Sequence, residues 1–142
     1  MTPNLFFENN KIIIYTDGGA RGNPGPAAIG VVIGPKEYAD YIGEATNNIA
    51  EYKAVIFALA KTRQLLGQAK AKQAELEIRL DSELVKKQLS GEYRVKDDKM
   101  KLLFIEAHNL KFDFKKVTYI HIPRDKNKIA DRLLNEVLDK RI

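Results

Sequence analysis

Apolar positions recur along this 142-residue chain with two spacings that alternate from segment to segment. Short runs rich in Ile, Val, Leu and Tyr, bounded by glycine or proline, are typical of strands, whereas apolar residues three and four positions apart indicate helices. The pattern predicts five strands, at residues 11–18, 27–33, 38–45, 76–80 and 116–122. It also predicts four helices, at residues 48–66, 82–89, 97–112 and 126–139.

The order of these elements predicts the architecture. The first three strands are joined by short turns and form an antiparallel meander, and the later strands alternate with helices. This order favours an α/β fold in which a five-stranded mixed sheet is flanked by helices on both faces. No linker or internal repeat divides the sequence, so we expect a single domain over residues 1–142.

Composition narrows the classes of function. The formal net charge of +5 permits a polyanionic partner such as nucleic acid, although many soluble domains carry a similar charge. Without cysteine there is no disulfide framework and no thiolate metal site. No apolar run is long enough to span a membrane, and the first residues do not resemble a secretory signal. We expect a cytoplasmic protein with no membrane partner and no obligate protein partner.

Four acidic residues carry the candidate chemistry, because each lies at or beside the edge of an apolar element. Asp17 follows the β-branched run at residues 12–15, near the end of the first predicted strand, and Asp81 follows the fourth predicted strand. Glu51 begins the apolar pattern of the first helix, and Asp131 lies on the inner face of the last helix. A fold that gathers these side chains at one edge of its sheet would form an all-oxygen site for hard divalent cations.

Each carboxylate taken alone also has a structural interpretation. Glu51 is three residues after Asn48, the predicted N-cap of the first helix, which is the spacing of a capping box. Asp81 could cap the second helix, and Asp131 could form an ion pair with a basic neighbour in its own helix.

Four sequence blocks distinguish between these interpretations. They are YTDGGARGNPGPA at residues 15–27, TNNIAEYKA at 46–54, DSELV at 81–85, and residues 124–135 with Asn127 and Ala130-Asp131. In order and spacing the blocks resemble the ribonuclease H type 1 family, and together they cover nearly the whole chain. The resemblance implies a ribonuclease H-like fold and hydrolysis of the RNA strand of an RNA–DNA hybrid.

The resemblance also implies which residues act. Asp17, Glu51, Asp81 and Asp131 match the family's four catalytic, metal-binding acidic residues, which implies two Mg²⁺ ions with substrate and Mn²⁺ as an alternative. Crowded carboxylates raise one another's pKa values, so we expect a strained site without metal. The implied substrate contacts are Gly18, Gly19, Ala20, Arg21, Asn23, Asn47 and Asn48. Arg124, in the loop before Asp131, is a further candidate for contact with the substrate.

Some of these contacts have a structural interpretation as well. The glycines could let the backbone approach a nucleic-acid groove, but Asn23-Pro24-Gly25 also makes an ordinary tight hairpin. Arg124 could steady a phosphate, or it could form an ion pair with Asp125 or Glu136.

Two departures from the family pattern leave alternatives open. The segment between Asp81 and Ile120 has room for only two helices, so a basic helical protrusion found in many members is missing. No histidine occupies the loop before Asp131, which leaves proton transfer and product release open. His121 lies on a predicted strand and His108 within a helix, which argues against an acid–base mechanism through two histidines and against cleavage through the RNA's own 2′-hydroxyl. We therefore expect 5′-phosphate and 3′-hydroxyl products. The alternatives are a broader nuclease that also cuts double-stranded RNA and a non-catalytic hybrid-binding module.

Overall fold

The computed structural model describes residues 7–8 and 10–141 of the chain. Its sheet runs in the order β4-β3-β2-β5-β6, and a two-residue strand, β1, pairs with the start of β2. The strands are β1 Phe7–Glu8, β2 Lys11–Ala20, β3 Gly25–Ile33, β4 Lys36–Ala45, β5 Glu75–Leu80 and β6 Lys116–His121. Strands β2, β3 and β4 are antiparallel, whereas β5 and β6 run parallel to β2. The predicted five-stranded mixed sheet is therefore confirmed, with β1 as an addition to it.

Among the described residues, five helices connect or flank these strands. They are α1 Asn47–Leu66, α2 Gln68–Ala71, α3 Glu83–Leu89, α4 Asp98–Leu110 and α5 Lys128–Asp139. The short helix α2 and the 3₁₀ turns Lys111–Asp113 and Arg124–Lys126 were not predicted from the sequence. Within the described part of the chain, no helix combines the length and the apolar character needed to cross a bilayer.

Side-chain alternation along the strands separates two packed layers. On one face, apolar residues of β2, β3 and β5 pack against α1 and α4 in the main core, which includes Ile14, Ile78 and Leu59. On the other face, Leu134 and Leu138 of α5 pack against the strand β3. Helices therefore cover both faces of the sheet, as predicted.

Glycine residues in β2 and β3 allow helices α1 and α5 to pack directly against the sheet. A Cβ added to Gly18 would lie 2.2 Å from the backbone carbon and oxygen of Ala50 in α1. A Cβ added to Gly30 would lie 2.1 Å from the backbone oxygen of Ala130 in α5. Helix packing therefore supplies the physical reason for glycine at position 18, where the sequence suggested close approach of a nucleic acid.

The helix caps differ from the prediction in a way that matters for the carboxylates. The N-cap of α1 is Thr46, whose hydroxyl accepts a hydrogen bond from the N–H of Ile49, so the assignment of Asn48 as the N-cap was wrong. Ser82, not Asp81, caps α3. A capping-box role for Glu51 and a capping role for Asp81 are thus excluded, and both carboxylates need another explanation.

Candidate active site

The register of two parallel strands brings the first pair of carboxylates together. Thr16 of β2 is the last residue paired with β5, opposite Leu80, so Asp17 and Asp81 are the next residues where the pairing of these two strands ends. The close packing of α1 on Gly18 adds Glu51 from that helix. Ligand oxygens of Asp17, Glu51 and Asp81 all lie within 4.8 Å of one another.

Asp131 approaches the same cluster from α5, although it lies outside this tightest group of three. It lines the same cleft, and its negative charge contributes to raising the pKa of Asp17. Its Oδ1 accepts a hydrogen bond from Asn135 Nδ2 at 3.2 Å. The neighbouring Arg132 pairs with Glu37 instead. Across the described residues no ion pair involves Asp131, so the purely structural interpretation of this residue is not supported.

Burial and crowding raise the pKa values of the two innermost carboxyl groups. Asp17 and Glu51 are each only 6% exposed. The pKa of Asp17 is raised to about 7, and burial of the carboxyl group is the largest cause. A hydrogen bond with Glu51 lowers this pKa, whereas the negative charges of Asp81 and Asp131 raise it further. The pKa of Glu51 is also well above its usual range, first because of burial and then because of the charge on Asp17. The expected strain of a metal-free site is therefore present.

Glu51 retains an oxygen that can accept a cation. The N–H of Gly18 donates to its Oε1 at 3.3 Å. Its Oε2 is buried and has no hydrogen-bond partner among the described residues. An unpaired buried carboxylate oxygen is unfavourable unless a proton or a cation occupies it. The all-oxygen donor set of the cluster is the type that hard divalent cations prefer.

The cluster lies in a cleft of about 450 Å³. With the exception of Asn23, every residue predicted from the sequence to form the site lines this cleft. Four lining residues were not predicted: Ser82, Leu134, Asn135 and Leu138. A helical projection would have identified three of them, since Asn135 and Leu134 lie one turn after Asp131 and Leu138 lies one turn further.

Two asparagines join the β2–β3 turn to the start of α1. Asn23 Oδ1 accepts a hydrogen bond from the backbone N–H of Asn47 at 3.0 Å. Asn47 Oδ1 in turn accepts from the N–H of Ala20 at 2.9 Å. The oxygens of both side chains are therefore engaged within the protein, which orders this rim of the cleft. Substrate contacts by Asn23, Asn47 and Asn48 stay predictions.

The two predicted substrate-binding arginines have different surroundings. The Arg21 guanidinium donates to Asn135 and Asp139 of α5, an anchor that sequence patterns do not reveal. Arg124 lies exposed in the 3₁₀ turn at the cleft. Among the described residues it forms no ion pair, so the alternative pairing of Arg124 with an acidic neighbour is not observed.

The missing protrusion and the missing histidine are both evident in the structure. Helices α3 and α4 are joined by residues 90–97 without a further helix. No histidine is among the residues described as lining the cleft. The described cleft therefore offers carboxylates, amides and two exposed arginines, Arg21 and Arg124.

Comparison with known proteins agrees with this geometry. A family model described as reverse transcriptase-like matches residues 15–137. A protein of Halobacterium salinarum named ribonuclease HI is 40% identical over 135 residues, which are 91% of this chain and 65% of that protein. A protein of Mycobacterium tuberculosis named a bifunctional protein is 37% identical over 91% of this chain and 36% of its own length. The chain thus spans about a third of the length of that mycobacterial relative.

Solved structures are similar over almost their full length. LC11-RNase H1 in complex with an RNA/DNA hybrid is 48% identical, with a TM-score of 0.87 over 92% of this chain and 99% of that chain. RNase H1 from Halobacterium salinarum is 40% identical, with a TM-score of 0.84 over 92% and 98% of the two chains. The mixed sheet and its acidic cleft define an α/β protein of the ribonuclease H-like class. Within that class, the chain belongs to the ribonuclease H type 1 family.

Proposed function

We propose that this chain is a divalent-metal-dependent endonuclease that hydrolyses the RNA strand of RNA–DNA hybrids. The observation that carries the proposal is the convergence of Asp17, Glu51 and Asp81 within 4.8 Å in a cleft that Asp131 also lines. The relation to LC11-RNase H1, which was solved with an RNA/DNA hybrid, supports the substrate class.

The donor set fits a pair of hard cations, and we infer Mg²⁺ as the cofactor with Mn²⁺ as an alternative. Asp17, Glu51, Asp81 and Asp131 would hold these ions. The buried Oε2 of Glu51 and the raised pKa of Asp17 support this inference, because both indicate a site that lacks compensating positive charge. When bound, two such cations supply Lewis-acid stabilisation of charge on the attacking and leaving oxygens.

The chain's own residues would hold the anionic substrate beside the carboxylates. Asn48 lines the cleft in the first turn of the 20-residue helix α1, and the positive end of a helix dipole favours a phosphate. Arg124 places an exposed guanidinium on the cleft. A guanidinium binds phosphate oxygens in a fixed fork geometry, so this side chain would steady the backbone of the substrate.

Neither His108 nor His121 is among the residues described as lining the cleft, so the site has no pair of imidazoles to act as acid and base in cleavage through the RNA's own 2′-hydroxyl. We therefore expect hydrolysis by water, with 5′-phosphate and 3′-hydroxyl products.

A panel of matched substrates tests the proposal. One end-labelled RNA is offered alone, as a hybrid with DNA and as a duplex with RNA, each with Mg²⁺, with Mn²⁺ and with EDTA. Metal-dependent cutting of the RNA in the hybrid is expected, and comparable cutting of the RNA duplex would broaden the substrate class. Binding of the hybrid without cutting in either metal would contradict the proposal and favour a non-catalytic binding module.

A further inference from the structure

Asn127 is a fully buried polar residue directly before α5, and its side chain is 1% exposed. Its Nδ2 donates two hydrogen bonds, to the backbone oxygen of Thr16 at 2.9 Å and to Asp81 Oδ2 at 3.1 Å. Its own backbone oxygen accepts from the N–H of Asp131 at 3.1 Å. A single residue thus joins Thr16 of β2, the residue after β5 and the first turn of α5.

These three contacts connect Asn127 to the three segments that carry Asp17, Asp81 and Asp131. Thr16 directly precedes Asp17, so its bond to Asn127 fixes the peptide that carries Asp17. The bond to Oδ2 of Asp81 restricts rotation of that carboxylate. An amide is suited to this position because its –NH₂ group has two hydrogens, one for each acceptor, and carries no charge that would repel or neutralise the cluster.

Asn127 stands at the N-cap position of α5, but its side chain does not cap the helix. An asparagine at an N-cap normally accepts a hydrogen bond from an N–H in the first turn. Asn127 makes no such side-chain bond, and its Oδ1 is buried without a partner among the described residues. An unpaired buried acceptor destabilises a folded protein. Stability of α5 therefore does not explain the orientation of this side chain, whereas the bonds to Thr16 and Asp81 do.

We propose that Asn127 is a positioning residue for the metal site, and that it sets the orientation of Asp81 relative to Asp17 and Asp131. The proposal rests on the metal site of the proposed function. Partners that orient metal-binding carboxylates typically change metal affinity about 10–100-fold when removed. Asn127→Ala should therefore weaken Mn²⁺ binding by about this factor without a comparable change in hybrid binding.

The test compares Asn127→Ala with Asp97→Ala. Asp97 also stands at a helix N-terminus, where its Oδ1 accepts from the N–H of Met100 at 3.0 Å, but it does not line the cleft. For both variants and the wild type, Mn²⁺ affinity is measured by calorimetry without substrate, hybrid affinity is measured in EDTA, and unfolding is followed by circular dichroism. Both substitutions should lower the unfolding temperature, but only Asn127→Ala should weaken Mn²⁺ binding.

A kinetic measurement adds a second readout. The Mn²⁺ concentration for half-maximal cleavage should rise about 10–100-fold in Asn127→Ala, while KM for the hybrid at saturating metal stays near the wild-type value. If Asn127→Ala does not fold, Asn127→Ser is used, since its hydroxyl keeps one donor and should give a smaller loss of Mn²⁺ affinity.

The outcomes separate the two proposals. A folded Asn127 variant with wild-type Mn²⁺ affinity would overturn the positioning role while leaving the proposed nuclease intact. A wild type that binds Mn²⁺ but cuts no hybrid would overturn the nuclease and leave the positioning role to be decided by the affinities. A wild type that binds no divalent cation would overturn both.

Discussion

Replacing Asp17 with asparagine should stabilise the metal-free protein, although it removes a residue that we assign to the active site. Asp17 is 6% exposed and faces the charges of Asp81 and Asp131. Asparagine has nearly the same shape without the negative charge. The substitution therefore removes the charge repulsion within the carboxylate cluster while leaving the packing nearly unchanged.

The magnitude follows from the pKa of Asp17, which rises from its ordinary value of 3.8 to about 7 in the folded protein. Because the folded state binds this proton more tightly than the unfolded state, the free energy of unfolding falls as pH rises from about 4 to about 7. A difference of roughly three pH units corresponds to about 4 kcal/mol. Since Asp17 and Glu51 titrate together, removal of one charge should recover about half of this, or about 2 kcal/mol.

Thermal unfolding in EDTA at pH 4, 6 and 8 provides the assay. At pH 8 the unfolding temperature of Asp17→Asn should exceed that of the wild type by roughly 5–10 °C. The difference should be small at pH 4, because Asp17 is protonated in the folded wild type and is still about half protonated in the unfolded chain, whose ordinary pKa is 3.8. Added Mg²⁺ or Mn²⁺ should reduce or reverse the difference, because only the wild type retains the full set of ligands.

Asp40→Asn is the matched control, because Asp40 is exposed on β4 and does not line the cleft. It should unfold like the wild type at every pH. The reasoning would be refuted if Asp17→Asn in EDTA at pH 8 were no more stable than the wild type, or if its advantage did not depend on pH.

Three further substitutions test the packing and the substrate contacts. Gly18→Ala should lower the free energy of unfolding in urea by about 2 kcal/mol or more, because the added Cβ would overlap the backbone of Ala50. An unchanged midpoint of urea unfolding would show that α1 does not pack on Gly18. Tyr52→Phe should cost about 1–2 kcal/mol in the same assay, because Gln88 Oε1 would lose a buried 2.7 Å hydrogen bond. Arg124→Ala should raise KM for the hybrid and reduce the slope of log affinity against log salt concentration by about 1, as expected for the loss of one phosphate contact. An unchanged slope would contradict a phosphate contact by Arg124.

Much of the site could be predicted because its residues follow simple periodic elements. Asp17 follows the apolar run at residues 12–15 of the first strand, and Asp81 follows the apolar strand that ends at Leu80. Adjacent parallel strands bring such positions to the same edge of a sheet. The match of four blocks to one family then selected Glu51 and Asp131 from the many acidic residues of the chain. These predictions needed only element order and spacing.

The remaining features depend on tertiary contacts that local patterns do not encode. Asn48 looked like the N-cap of α1, but Thr46 caps the helix and leaves Asn48 at the cleft. Arg21 is held by residues of α5 that are more than 100 positions away in the sequence. Asn127 belonged to a recognised block, yet its bonds to Thr16 and Asp81 emerge only when β2, β5 and α5 are assembled.

Cleavage and binding of one RNA–DNA hybrid by the wild type, Asp17→Asn and Asp40→Asn test the central claim most directly. With Mg²⁺, the wild type and Asp40→Asn should cut the RNA strand and leave 3′-hydroxyl ends, whereas Asp17→Asn should bind the hybrid without cutting it. Cutting by Asp17→Asn at the wild-type rate, or cutting by the wild type in EDTA, would contradict a metal-dependent site built on these carboxylates.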